Sequence, residues 1–285
     1  MAKRNLSWTE EKYQRFLKEG RGQGERKEYK PWLTIQDFPS QGRVSRIFGL
    51  KTKRIHHFFS DNETRYFYLL EWNDKVIDIR EHFPLLDIEE SIKDKENLNL
   101  DKFVDKNSGT PYVFTTTFLI TLQDIKGKYS YVARSIKASA ELEKKQVIER
   151  LEIERRYWES KNIDWGLVTQ KDIPAIRAKN IEWTHSVFED EGNRGISFEE
   201  KEHLSSLLKE KLQDSMIPIR RVTSNFDKEF NLQSGTGLFL LKYLIGCKHI
   251  KIDMDKKIDI NKSASDCIEF IDTERGKGHE AIFNG

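Results

Sequence analysis

The sequence predicts an α/β protein that carries a second, smaller and mainly helical, winged-helix-like domain. Three observations lead there. Over residues 1–168, helix-period and strand-period segments alternate, the pattern of helices packed on a sheet. Over residues 169–285, helical patterns follow one another and end in two short alternating stretches, 248–253 and 256–260, which suggest a small hairpin. A chain of 285 residues, at roughly 150 per domain, makes two domains, placed at 1–168 and 169–285.

The elements follow in order. Trp8, Tyr13, Phe16 and Leu17 fall at helical spacing behind Thr9, a suitable N-cap. That helix stops at Gly20-Arg21-Gly22-Gln23-Gly24, which is not flanked by a strand and a helix and so is no dinucleotide fingerprint. It is expected to be a flexible basic elbow. Stretches 43–48 and 53–59 alternate as strands joined across 49–52. Their His56-His57 pair is taken as structural, because neighbours on a strand face opposite sides and cannot easily share an ion. Ser60 and Glu63 match a capping box that opens a helix over 64–72. Capping is therefore one assignment for Glu63.

Residues 76–86 alternate as a strand stopped by Pro84, with Asp78 and Arg80 on one face and Glu81 on the other. Residues 88–109 are polar and look like an insertion, and 112–122 with 128–137 form a β-rich hairpin. A long amphipathic helix is expected from Ser139 to about Lys161, then a short strand over 165–169. Helices over 173–188, from the Ser197/Glu200 capping box to about Gln213, and over 237–246 complete the pattern.

Composition bounds the function. A hydrophobic content of 37% and an aromatic content of 11% exclude a disordered chain, and 34% charged residues imply a heavily solvated surface. Two cysteines, Cys247 and Cys267, exclude a disulfide scaffold and a CxxC zinc site. The start lacks the apolar run of a signal peptide, and the greasiest stretch, 237–246, is interrupted by Lys242 and half the length of a membrane span. A reduced, cytoplasmic protein without a membrane partner is expected. Its net charge of +2 divides into +8 over residues 1–57 and −6 over the rest. That asymmetry fits an arm that meets phosphates, with Arg21, Arg26, Lys27, Arg43 and Arg54 as its candidate contacts. It fits a solvated, partly mobile terminus equally well.

A Glu on a helix, a β-hairpin and a Lys at the end of its second strand make the skeleton of a metal-dependent nuclease. From residue types alone the pattern is weak. Several strings strengthen it: Lys18-Glu-Gly-Arg-Gly-Gln-Gly24, Pro31-Trp-Leu-Thr34, His56-His57 with Ser60-Asp61-x-Glu63, Leu70-Glu-Trp72, Asp78-Ile-Arg-Glu81-x-Phe-Pro-Leu-Leu86, Leu151-Glu-x-Glu-Arg-Arg-Tyr-Trp158 and Asn180-Ile-Glu-Trp183. Together and in order they resemble TnsA, the endonuclease subunit of heteromeric TnsA/TnsB transposases, over about residues 1–188. The resemblance implies a restriction-endonuclease-like first domain that cuts 5′ transposon ends with Mg²⁺ or Mn²⁺. It also implies a TnsB-like transposase, a TnsC-like ATPase regulator contacting the second domain, and transposon-end DNA as partners. The family's active-site Glu falls on Glu63 and its Lys on Lys137.

Two positions depart from the family. Its second metal-binding carboxylate falls on Thr117, and its Gln falls on Ser135. A unit-charge pair about 4 Å apart interacts by roughly 4 kcal/mol at an effective dielectric near 20, and a divalent ion by about double. Lost hydration cancels much of this, yet a residual deficit of ~3 kcal/mol would still weaken metal binding about a hundredfold. Asp78, Glu81 and Asp124 are the acids that could substitute. Two functions remain: an impaired 5′-end nuclease, or a non-catalytic assembly subunit that supports replicative, cointegrate transposition.

Overall fold

The computed structural model describes residues 7–37, 43–98, 100, 102–189, 195–213 and 215–270. The chain divides into two compact units, Met1–Ile173 and Pro174–Gly285.

In the first unit Thr9 caps α1 (Glu10–Lys18), its hydroxyl accepting from the Lys12 amide at 3.3 Å. Phe16 on this helix packs edge-on against Trp8 and Trp32, a small aromatic core of its own. The glycine run that follows is pinned, not the flexible elbow expected. Gly20, Gly22 and Gly24 all have left-handed φ, and the Gly22 amide donates to the Lys30 carbonyl at 2.6 Å. A Cβ on Gly22 would sit 2.2 Å from the Pro84 ring.

β1 (Ser45–Gly49) and β2 (Arg54–Phe58) pair as an antiparallel hairpin, followed by α2 (Asp61–Trp72). A four-stranded sheet then forms from β3 (Val76–Leu85), β4 (Phe114–Gln123), β5 (Tyr129–Ile136) and β6 (Asp164–Val168), in that spatial order. The first two pairings are antiparallel and β5 runs parallel to β6. Pro84 does not stop β3, because β3 is an edge strand and loses no ladder bond to a missing N–H. Its outward carbonyls at Ile79, Glu81 and His82 accept from the Arg54 guanidinium, the Tyr29 hydroxyl and the Trp32 amide.

One face of the sheet meets β2 and α2 through Phe118, whose ring contacts Phe58 and Tyr66. The other meets α4 (Lys145–Ser160) through Leu119, Ala133, Ile153, Tyr157 and Trp158. This helix begins six residues later than the sequence suggested: 139–143 is a separate 3-10 turn, with the Glu141 carboxylate accepting the Ala138 amide. The polar stretch after β3 is packed, not merely inserted. α3 (Ile88–Ser91) contributes Ile88 to the α4-side core, joined by Ile92 and Phe103.

The second unit contains α5 (Ala175–Glu189), α6 (Phe198–Leu212), α7 (Ile219–Glu229) and α8 (Thr236–Gly246). Ser197 caps α6 as expected, accepting the Glu200 amide at 3.1 Å. α8 is apolar nearly all round because α5, α6 and α7 all pack on it. Gly237 permits that approach, since a Cβ there would lie 2.5 Å from the Thr223 carbonyl.

The terminal hairpin differs from expectation. β7 (Ile250–Ile252) pairs with β8 (Ile268–Phe270), and 256–260 is not a strand. Its backbone groups are taken elsewhere: Asn180 bonds the Met254 and Lys256 carbonyls and the Ile258 amide, while the α7 amides of Ile219 and Arg220 donate to Lys262 and Ile260.

Candidate functional site

The positions that the resemblance singles out lie on three elements of the first unit. Glu63 stands in the first turn of α2, where Ser60 accepts its amide at 3.3 Å. Its carboxylate accepts the Phe59 amide at 2.8 Å and the Ser60 hydroxyl at 3.2 Å. Half of the expected capping box forms, Ser60 on the Glu63 amide, while the Glu63 carboxylate reaches one residue further back, to Phe59 ahead of the cap.

Thr117 stands on β4, where its hydroxyl accepts the Ile136 amide at 3.0 Å. The β4–β5 ladder has just ended at Phe118 and Arg134, so this side chain satisfies a backbone donor that no strand partner reaches. Across from Thr117 on β3 lies His82, flanked by the pairs Glu81–Phe118 and Phe83–Thr116. His82 has a left-handed φ of 49°, donates Nε2–H to the His57 carbonyl at 2.9 Å, and approaches the Glu63 carboxylate to 3.9 Å. A ring nitrogen that donates to a carbonyl is not a free metal ligand. His82 therefore approaches Glu63 without adding an anionic donor.

The other two positions end β5. Ser135 is buried and donates its hydroxyl to Glu154 of α4, while the Trp165 indole donates to Ser135 at 3.0 Å. A second relay runs beside it: the Trp158 indole donates to Thr116 at 2.7 Å, and Thr116 to Glu154 at 3.1 Å. Lys137 follows, its amide donating to the Val168 carbonyl. Burial pushes the Glu154 carboxyl up, against the opposing pull of the Ser135 hydrogen bond and the Lys137 charge. Sequence reasoning missed Glu154. The signal was its place three residues after Leu151 and four before Trp158, an acid within the apolar stripe of an amphipathic helix.

The three acids weighed as substitutes are placed elsewhere. Glu81 is fully buried, with Arg54 forked on it at 2.8 and 2.5 Å and His56 at 2.8 Å. Burial alone would raise its carboxyl, but the His56 and Arg54 charges prevail and hold it well below the ordinary value. Asp78 lies across from Thr121, four residues along β4 from Thr117, and faces Arg80 at 3.5 Å. At about 3.4 Å per residue that is some 14 Å away. Asp124 closes the β4–β5 turn by accepting the Lys126 and Lys128 amides. His56 and His57 do face apart: His56 bonds Glu81 and Thr52, and His57 receives the Ile35 amide.

Among the described residues no group of three or more His, Cys, Asp or Glu is placed to hold a metal ion. The donors present do not fit a magnesium site: one carboxylate already bound by a backbone amide, one neutral hydroxyl also bound, and Glu154 taken up by the Thr116 and Ser135 hydroxyls. No described helix is long and apolar enough to cross a membrane.

Of the five candidate DNA contacts, two face inward. Arg21 pairs with Asp37 at 2.7 Å, bonds the Trp32 carbonyl and lies 3.5 Å over the Phe16 ring. Arg54 is buried on Glu81. Arg26, Lys27 and Arg43 are exposed.

Residues 73–170 match the family model described as TnsA-like endonuclease N terminal, and residues 172–254 the one described as TnsA endonuclease C terminal. Over 270 residues the chain is 37% identical to the Transposon Tn7 transposition protein TnsA of Escherichia coli, an alignment covering 94% of this chain and 95% of that protein.

Proposed function

The chain belongs to the TnsA endonuclease family, and we propose that it serves a heteromeric DNA transposase as a subunit whose own 5′-end cleavage is impaired. One observation carries this reading. Where the family places its second metal carboxylate, Thr117 supplies a neutral hydroxyl that already accepts the Ile136 amide. Glu63 is the one inherited carboxylate left at that site, and Lys137 would stabilise charge on the phosphate.

The same reading gives the chain transposon-end DNA, a TnsB-like transposase and a TnsC-like ATPase regulator as partners. Arg26, Lys27 and Arg43 are its DNA contacts in the first unit, and the second unit is a winged-helix-like, partner-binding domain. A wholly non-catalytic assembly subunit is the limiting case. Glu154 favours the impaired nuclease, because it keeps a buried acid hydrogen-bonded to Ser135, two residues before Lys137, at the end of β5.

The test is 5′-end cleavage of labelled transposon-end DNA with the partner proteins and Mg²⁺ or Mn²⁺. Wild type should cut weakly or not at all and give cointegrates, and Thr117→Asp should raise 5′ cutting about tenfold or more. Robust wild-type cutting that disappears in Glu63→Ala and Lys137→Ala would overturn the impaired site.

A further inference from the structure

Outside the nuclease unit, α7 presents a face that the proposed function does not use. At about 100° per residue, Arg220, Arg221, Ser224, Asn225 and Lys228 fall within roughly 140° of arc, and all five are exposed. The opposite arc holds Ile219, Val222, Thr223, Phe226 and Asp227, all buried. Asp227 is turned inward, accepting the Gly235 and Gly237 amides that begin α8. The helix's other acid, Glu229, sits at the edge of the outer arc and pairs with Lys211 of α6 at 2.8 Å. The outer face therefore carries three cations, a hydroxyl and an amide, with no acid inside it.

Its surroundings extend the charge. The Ile219 amide donates to the Lys262 carbonyl at 2.9 Å, which brings exposed Lys262 to the start of α7. The whole stretch 174–285 has seventeen Lys and Arg against nineteen Asp and Glu, so this face is a local reversal of an acid-rich unit.

We propose that the outer face of α7 docks on duplex DNA. From Arg220 to Lys228 is about 12 Å at 1.5 Å per residue, close to the width of the major groove. Arg220, Arg221 and Lys228 neutralise phosphates, and Ser224 and Asn225 stand between them where side chains reach base edges. This second DNA contact rests on the assignment of the chain to a DNA-processing complex, and it adds a site in the unit otherwise given to protein partners.

The experiment compares the full-length wild type with Arg220→Ala/Arg221→Ala/Lys228→Ala on a fluorescent duplex of mixed sequence, titrated across salt concentrations. All three positions are exposed, and an unchanged melting temperature verifies that the fold is intact. Each lost phosphate contact should flatten the log–log salt slope by about 0.9. The triple variant should therefore lose roughly two to three units of slope and at least tenfold in affinity at low salt. A wild type that binds while the variant keeps its slope and affinity overturns the α7 assignment alone. A wild type that does not bind duplex even at low salt overturns the DNA-subunit reading with it. A variant with an unchanged slope that no longer co-purifies with its transposase or ATPase partner makes the face a protein interface, and overturns the proposal too.

Discussion

Two carboxylates of the first unit are both fully buried, and they are treated in opposite ways. Glu81, between β2 and β3, is met by a forked Arg54, by His56 and by the His57 amide. Glu154, between α4 and the far side of the sheet, is met by two hydroxyls that are themselves bonded by indoles, with a lysine charge in reach. One region compensates its charge completely and is scaffold. The other leaves the charge only partly compensated, beside Ser135 and the end of β5.

The sharpest way to break this contrast is Glu81→Gln. It strands Arg54 and His56 in the interior, and the loss should be about 3–5 kcal/mol in chemical denaturation. Because the Glu81 carboxyl lies well below its ordinary value of 4.5, its contribution is present above that value and is lost only as pH falls through the lower, folded one. The deficit of the variant should therefore persist unchanged from pH 8 to about pH 5. A loss under about 1 kcal/mol would make the Glu81 network dispensable.

Thr117→Asp acts in the other region and should be smaller. A carboxylate can still accept the Ile136 amide, but it adds a partly uncompensated charge, at a cost of about 1–3 kcal/mol without metal. Saturating Mn²⁺, at roughly a hundred times its dissociation constant, should return about 2.7 kcal/mol to the variant. Wild type should show little shift. Equal Mn²⁺ stabilisation of both proteins would mean that Thr117 is not what limits ion binding.

The smallest effect belongs to Glu154→Gln. A raised carboxyl contributes fully to stability below its ordinary value of 4.5, and that contribution disappears as pH rises through the folded value. Removing the ionisable group should make the variant more stable than wild type at pH 8, the gap closing towards pH 4 in chemical denaturation. A difference that stays constant with pH would show that Glu154 is as well compensated as Glu81.

What could be read from the chain alone was mostly local. The Ser60/Glu63 and Ser197/Glu200 caps, the opposed faces of His56 and His57, and the β4–β5 hairpin depend on residues a few positions apart, and they formed as expected. Glu154 was missed because its importance comes from α4 lying on β4 and β5, a packing no short window contains. Arg21 and Arg54 looked like free cations for the same reason: Asp37 lies sixteen residues from Arg21 and Glu81 twenty-seven from Arg54. The second hairpin was misplaced because alternation over 256–260 says nothing of Asn180, seventy-odd residues earlier, which takes up that backbone.

The outer border of β3 has one last consequence. A guanidinium, a phenol and a main-chain amide already occupy its outward carbonyls, and Pro84 offers no hydrogen of its own while the Gly22 loop leans on its ring. A border with these carbonyls taken and a proline among its donors is a poor template for a strand from another molecule, which disfavours edge-to-edge aggregation on that flank.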